Sequence, residues 1–162
     1  MPLDITSFGY TSNLWDNLSP ADNTVTKLGG YCIPCLATTA MSPGDAVVID
    51  TAAPASDTAF PSVKTVASAN STAGVGFYYA SQGTTPNQWD STRTAASGDL
   101  VMVQVDGVVK GTASTAISAG ALVGTSTTAG QVVTTSTASA NLGRALSAAS
   151  VQGDKIYILV SR

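Results

Sequence analysis

The chain is 162 residues long, which is enough for one domain with a hydrophobic core, or for a smaller β-domain and an arm. Charged residues make up only 10% of it, and it contains no His. The formal net charge is −3 and the seven Lys and Arg residues stand singly, so no basic patch suits a nucleic-acid backbone. The start lacks a basic region followed by an apolar run, and no later apolar stretch has the length of a membrane span. We therefore expect a soluble protein, not exported through a signal peptide, with neither nucleic acid nor membrane as a partner.

Residues 1–30 differ from the rest of the chain. They include five large apolar residues that follow neither a two-residue nor a 3.6-residue period. These candidate binding residues are Phe8, Tyr10, Leu14, Trp15 and Leu18. Pro20 and the glycines at 29 and 30 stop any longer helix. We predict an N-terminal arm over residues 1–30 that docks on its own domain, on a neighbouring subunit or on a partner, because this much aromatic surface does not suit a solvated tail.

The remaining residues, 31–162, are predicted to form one β-rich domain. Thr and Val are plentiful, and short apolar alternations lie between segments rich in Gly, Pro, Ser and Asn. The predicted strands are Tyr31–Ala37, Ala46–Asp50, Val63–Ala69, Val75–Ala80, Leu100–Val105, Val108–Thr112, Ala121–Thr125, Gln131–Thr135, Leu142–Ala148 and Lys155–Val160. The predicted fold class is all-β, a small β-sandwich or barrel-like domain.

One turn pattern recurs directly before a strand. A small or polar residue, Gly and Asp precede alternating apolar residues at Gly44-Asp45, Gly98-Asp99 and Gly153-Asp154, and an imperfect copy occurs at Gly120-Ala121. A Gly with positive φ reverses the chain and the Asp side chain bonds the local backbone, so these residues are predicted structural turns. Asp106-Gly107 predicts a further turn, here a hairpin between its two flanking strands.

The order of these turns predicts an internal duplication. The first half has a turn at Gly44-Asp45, a Gly-centred strand at Val75-Gly76-Phe77 and a turn at Gly98-Asp99. The second half has the same order, with Gly120-Ala121, Leu142-Gly143-Arg144 and Gly153-Asp154. The first half then contains long loop insertions at 51–61 and 81–96. The alternative is that Gly-Asp turns recur by chance in a β-protein, and the sequence leaves both possibilities open.

The sequence contains little that is suited to catalysis or metal binding. Cys32 and Cys35 have the spacing of redox and zinc sites, but they lie on a predicted strand, where they point to opposite faces, and no His is present to complete a zinc site. The Asp residues are mostly explained by turns, although Ca²⁺ on clustered turn carboxylates is an alternative. We expect no enzyme activity, no metal and no cofactor, since no nucleophile has a visible activating base.

Trp89 lies in the second long loop, in a setting similar to that of Trp15. A Trp on an irregular segment is a candidate binding anchor, because aromatic side chains contribute much of interface energy. The alternative is a local apolar cluster beneath the loop.

From Tyr31 to Arg162 the chain resembles the capsid cement, or head decoration, proteins of tailed bacteriophages. The likeness lies in segments 43–47, 75–77, 98–101, 105–109, 119–123, 142–146 and 153–160. The resemblance implies a β-tulip-like domain, a homotrimer, the major capsid protein as partner, and a place on the outer surface of a virion assembled in the host cytoplasm. It implies a structural protein that stabilises contacts between capsid subunits.

A charge-poor surface that has few devices against self-association agrees with this interpretation. The alternative function is a carbohydrate-binding or adhesin-like β-module, in which Tyr78, Tyr79 and Trp89 would form a stacking platform for sugars.

Overall fold

The fold is all-β, as the sequence predicts. The computed structural model describes residues 27–28, 30–52, 60–82 and 89–161. In this part, twelve strands form two six-stranded sheets, which confirms the predicted sandwich or barrel-like class. The strands are β1 (Lys27–Leu28), β2 (Cys32–Ala37), β3 (Ala46–Ile49), β4 (Ser62–Thr65), β5 (Gly74–Gln82), β6 (Trp89–Asp90), β7 (Leu100–Gln104), β8 (Gly107–Thr112), β9 (Leu122–Thr125), β10 (Val132–Thr134), β11 (Gly143–Ala145) and β12 (Lys155–Val160).

The ten predicted strands correspond to β2–β5 and β7–β12. Apolar alternation produces them, as in β12, where exposed and buried residues alternate along the whole strand. β1 and β6, which have two residues each, were not predicted from the sequence. Because β1 lies inside the segment predicted to be the arm, the sheet begins before residue 31.

The first sheet closes on itself. Its order is β3-β4-β2-β7-β5-β6, and β3 also pairs with β5, so five of the six strands form a ring. The pairings are antiparallel except between β2 and β4. A cluster of fully buried side chains belongs to this ring, among them Val47, Val63, Tyr78, Val101 and Val103.

The second sheet repeats this arrangement. β9 pairs with β10 and β11, β11 pairs with β12, and β12 pairs with β8. Ala113, directly after β8, bridges Val132 of β10 in the parallel sense, as β2 pairs with β4. The register is also repeated, because the pairs Val47↔Gly76 and Leu36↔Leu100 correspond to Val123↔Gly143 and Thr112↔Lys155. The predicted duplication is therefore present in the structure, with a first repeat over residues 32–104 and a second over residues 107–160.

The turns occupy equivalent places in the two repeats. Gly44, Gly98, Gly120 and Gly153 all have positive φ, between +85° and +93°. The N–H of each donates to a carbonyl oxygen of a neighbouring segment: Gly44 to Tyr78 and its equivalent Gly120 to Ala145, and Gly98 to Ala37 and its equivalent Gly153 to Ala113. The Asp after three of these glycines accepts a backbone N–H from three residues earlier, at 2.7 Å for Asp45, 2.9 Å for Asp99 and 3.1 Å for Asp154.

Replacing Gly98 or Gly153 with Val is expected to lower the free energy of unfolding by more than about 1 kcal/mol, because a β-branched residue tolerates positive φ poorly. No atom lies within 4 Å of the added Cβ at either position, so the cost is conformational and not a collision. Thermal and urea unfolding of both variants measure it. Melting curves identical to those of the parent would contradict the requirement for glycine at these turns.

The predicted hairpin at Asp106-Gly107 is wrong. β7 and β8 lie in different sheets: β7 pairs with β2 and β5, and β8 pairs with β1 and β12. Both edges of β7 are therefore occupied within the first repeat. Gly107 does have positive φ (+93°), but it turns the chain from the first repeat into the second. The Gln104 side-chain amide donates to the carbonyls of Asp106 and Val108 and braces this junction.

The two repeats contact each other through a shared buried cluster and through hydrogen bonds. Ala46 and Phe77 of the first repeat belong to the buried cluster formed by the second. Thr125 of β9, which is buried, accepts the Ser71 N–H on its hydroxyl at 2.8 Å and donates to the Ser68 carbonyl at 2.7 Å. This packing joins the two rings into one body.

Candidate interaction surfaces

The five predicted binding residues of the arm lie outside the described residues; they are Phe8, Tyr10, Leu14, Trp15 and Leu18. The structure does show where the arm meets the fold. Leu28 pairs with Val108 and Lys27 with Val109, so β1 forms one edge of the second sheet beside β8. The described chain therefore begins, at Lys27, on this edge of the sheet.

Trp89 lies in β6, opposite Gln82 of β5. Its side chain is half-buried against a small cluster made by Cys32, Tyr79 and Ala80. The predicted local cluster thus exists, and it leaves part of the Trp89 surface free for a partner. The segment after Trp89 is fixed by Asp90, whose carboxylate accepts the Thr92 hydroxyl at 2.7 Å and the Thr92 N–H at 2.8 Å. These bonds hold the pKa of Asp90 below its usual value.

The two tyrosines beside this cluster do not form a platform for sugars. Tyr78 lies in the core of the first ring, and its hydroxyl donates to the Arg93 carbonyl at 2.5 Å. Tyr79 is also buried. Because both phenol side chains are buried, Tyr78 and Tyr79 offer no exposed aromatic surface on which a sugar could stack, as the carbohydrate-binding alternative requires.

The cysteine pair shows the geometry of a strand. Cys35 belongs to the core cluster of the first ring, whereas Cys32 belongs to the small cluster beside Trp89, and neither of the two forms a disulfide bond. Burial raises the pKa of Cys35 to about 11, so its thiol stays protonated at neutral pH. A protonated thiol is a poor nucleophile and a poor metal ligand.

The turn carboxylates accept hydrogen bonds from backbone N–H groups. Two N–H groups, those of Val151 and Ser150, bond Asp154 and lower its pKa. Asp45 differs because it packs beneath Gly130, and burial raises its pKa despite the Ser42 N–H bond and the charge of Lys155. Within residues 27–28, 30–52, 60–82 and 89–161, no group of three or more Cys or Asp residues is placed to hold a metal ion.

One exposed surface was not predicted from the sequence. The outward residues of β12 are Lys155, Tyr157 and Leu159. Tyr157 is 42% exposed and Leu159 is 39% exposed. Lys110 of β8 pairs with Tyr157, and Arg144 of β11 pairs with Leu159, so these cations lie on the same side of the sheet.

Leu146, 49% exposed, extends this row, because it follows β11 and donates its N–H to the Tyr157 carbonyl. We call this surface the basic-apolar face; it comprises Lys110, Arg144, Leu146, Lys155, Tyr157 and Leu159. The available signal in the sequence was the strict alternation of β12, in which large apolar residues occupy the outward positions as well as the inward ones.

No described helix is long and apolar enough to cross a membrane.

Residues 91–160, which include β7 to β12, match the family model described as phage cement protein. This match confirms the family resemblance drawn from the sequence. A solved structure described as the head fiber gp8.5 N base in bacteriophage phi29 is similar in fold, with a TM-score of 0.52 and 15% sequence identity. The alignment covers 81% of this chain and 93% of that one. No significant match to a curated protein sequence was found.

Proposed function

We propose that this chain is a phage cement protein that binds the outer surface of a phage capsid and stabilises contacts between major capsid protein subunits, because residues 91–160 match the family model described as phage cement protein. It would act as a structural virion protein without catalytic activity, added to the capsid during assembly in the host cytoplasm. The family match is the observation that carries this proposal. The fold shared with a phage head fiber base agrees with it.

The body of the protein suits such a role. The two rings, the first closed by the pairing of β3 with β5 and the second by the bridge between Ala113 and Val132, share a buried cluster and therefore resist bending. A rigid body of this kind transmits a load between the capsid subunits that it bridges. The contacts themselves we assign to Phe8, Tyr10, Leu14, Trp15 and Leu18 of the arm, with Trp89 as a further contact. Large aromatic side chains are enriched among the residues that anchor interfaces.

A binding experiment with capsids tests the proposed function. Purified protein is mixed with mature capsids that lack their decoration proteins, and bound copies are counted after sedimentation. We expect saturable binding at a fixed number of copies per capsid and greater resistance of the capsids to heat and to chelators. A glycan array with the same protein is the control: glycan binding without capsid binding would favour the carbohydrate-binding alternative.

We expect the protein to be a homotrimer, because the family is commonly trimeric and a surface with 10% charged residues has little to oppose self-association. Closed three-fold symmetry would match the local three-fold positions of a capsid. Light scattering at micromolar concentration measures the mass directly. A monomer both in free solution and after release from capsids would contradict this prediction.

A further inference from the structure

The basic-apolar face combines exposed apolar side chains with cations that form no salt bridge among the residues that the structure describes. Three apolar side chains, Leu146, Tyr157 and Leu159, are between 39% and 49% exposed and lie side by side on adjacent strands. The salt bridges in the described part are Lys64–Asp50 and Arg93–Asp99, so Lys110 and Arg144 belong to neither. The Arg144 guanidinium donates one hydrogen bond to the Gly120 carbonyl, which leaves its charge without a carboxylate. Lys155 lies close enough to Asp45 to affect its pKa, and it bonds the Thr112 hydroxyl. A surface of this kind suits an acidic segment with large apolar side chains.

Residues 1–26 have the matching chemistry. They contain three carboxylates, Asp4, Asp16 and Asp22, and no Lys or Arg. Their large apolar residues include Phe8, Tyr10 and Trp15, so both the charge and the apolar content complement the basic-apolar face.

The point at which the arm joins the fold, at β1, also lies near this face. Leu28 pairs with Val108, which in turn pairs with Leu159, so β1 is two strands away from β12. Two strand spacings amount to about 10 Å, and an extended chain covers that distance in roughly three residues. Residues 1–26 therefore reach every part of the face of their own chain without strain.

We propose that the basic-apolar face is the intramolecular docking site of residues 1–26 in the free protein, with Lys110 and Arg144 pairing the arm carboxylates and Tyr157, Leu159 and Leu146 packing against its apolar side chains. The bound arm covers the exposed apolar row and keeps the unattached protein from associating through it. This inference goes beyond the proposed function, because it concerns the protein before it meets a capsid.

Trp15 provides a direct probe of the docked arm. In a Trp89→Phe background it is the single tryptophan, since the chain has two. We expect its fluorescence to be blue-shifted and several-fold less sensitive to acrylamide than that of a peptide of residues 1–26. The double variant Lys110→Glu with Arg144→Glu should restore the sensitivity of the peptide. Adding Asp16→Lys and Asp22→Lys to that variant should recover protection, because the charges are then exchanged.

An apolar pair of variants controls for general effects on folding. Leu159→Ser should expose Trp15, whereas Ile49→Ser should not, although the two side chains are equally exposed, at 39% and 38%. Circular dichroism confirms that each variant is folded. The proposal would be overturned if Trp15 were as accessible to acrylamide in the parent as in the peptide. It would also be overturned if the protection depended on protein concentration, because the occupant would then be the arm of a second copy.

A second measurement does not depend on the tryptophan background. The acetylation rate of Lys110 in the unmutated chain, measured by mass spectrometry, should rise several-fold when residues 1–26 are removed. Lys64 is the matched control, because it pairs with Asp50 in the first repeat, away from the face. Equal rates for Lys110 with and without the arm would show that the arm does not cover this face.

Discussion

Replacing Gly76 or Gly143 with Ala is expected to lower the free energy of unfolding by about 3 kcal/mol, because the added methyl group would overlap a backbone oxygen of the neighbouring strand. The Cβ would lie 2.1 Å from the Gln104 carbonyl oxygen at Gly76 and 2.3 Å from the Leu159 carbonyl oxygen at Gly143. Both strands of each pair lie in a closed ring, so neither can move away without breaking other pairings.

The two positions are equivalent in the two repeats, since Gly76 pairs with Val47 and Gly143 with Val123 in the same register. The prediction is therefore that both substitutions have effects of similar size. For a chain of this length, a loss of 3 kcal/mol lowers the melting temperature by about 6–12 °C.

Gly98→Ala is the matched control. Gly98 has positive φ but no atom within 4 Å of an added Cβ, so Ala there costs only the left-handed conformation, about 1–2 kcal/mol. Differential scanning calorimetry of the three variants ranks the effects. A Gly76→Ala or Gly143→Ala variant that melts at or above the temperature of Gly98→Ala would show that the strands separate easily and that close packing is not what requires glycine.

The sequence was informative wherever structure is decided locally. The ten longer strands follow from apolar alternation, and the turns at Gly44, Gly98 and Gly153 follow from a glycine with positive φ and an Asp that caps the backbone. The order of these turns also indicated the duplication. The closure of each ring could not be predicted, because it depends on pairings such as β2 with β4 between segments far apart in the chain.

The Asp106-Gly107 hairpin shows the limit of turn chemistry. The two residues do form a turn, but a turn only brings two strands near each other and does not decide whether they pair. β7 is bonded on both edges by β2 and β5, so β8 finds its partners in the second repeat. The buried positions of Tyr78 and Tyr79 were missed for a similar reason, since β5 is bonded on both sides and covered on both faces.

The candidate contact surfaces were predicted only in part. Trp89 was recognised from its residue type and its loop, but its packing against Cys32, Tyr79 and Ala80 depends on three separate strands. The basic-apolar face combines residues from β8, β11 and β12, and single residues in those strands gave no sign that they would meet. Pairing partners therefore decide the sites more than residue composition does.

Deleting residues 1–26 is expected to weaken attachment to capsids by about two or more powers of ten per copy, because burying one aromatic side chain is worth roughly 1.5–3 kcal/mol and three of them are lost. These are Phe8, Tyr10 and Trp15. The measured loss should be smaller than the sum of the three, because the same side chains must leave the basic-apolar face of their own chain before they reach the capsid. The deletion stops at residue 26 so that β1 remains paired with β8.

The β-body should remain folded without the arm, since the two core clusters consist of residues after position 32. We therefore expect a cooperative melting transition close to that of the full chain, together with reduced occupancy on decoration-free capsids. The triple variant Phe8→Ser, Tyr10→Ser and Trp15→Ser should lose as much occupancy as the deletion, whereas Thr6→Ala, Thr11→Ala and Thr24→Ala should retain it. Unchanged occupancy after the deletion would remove the arm from the capsid contact, and a lost melting transition would make it part of the fold.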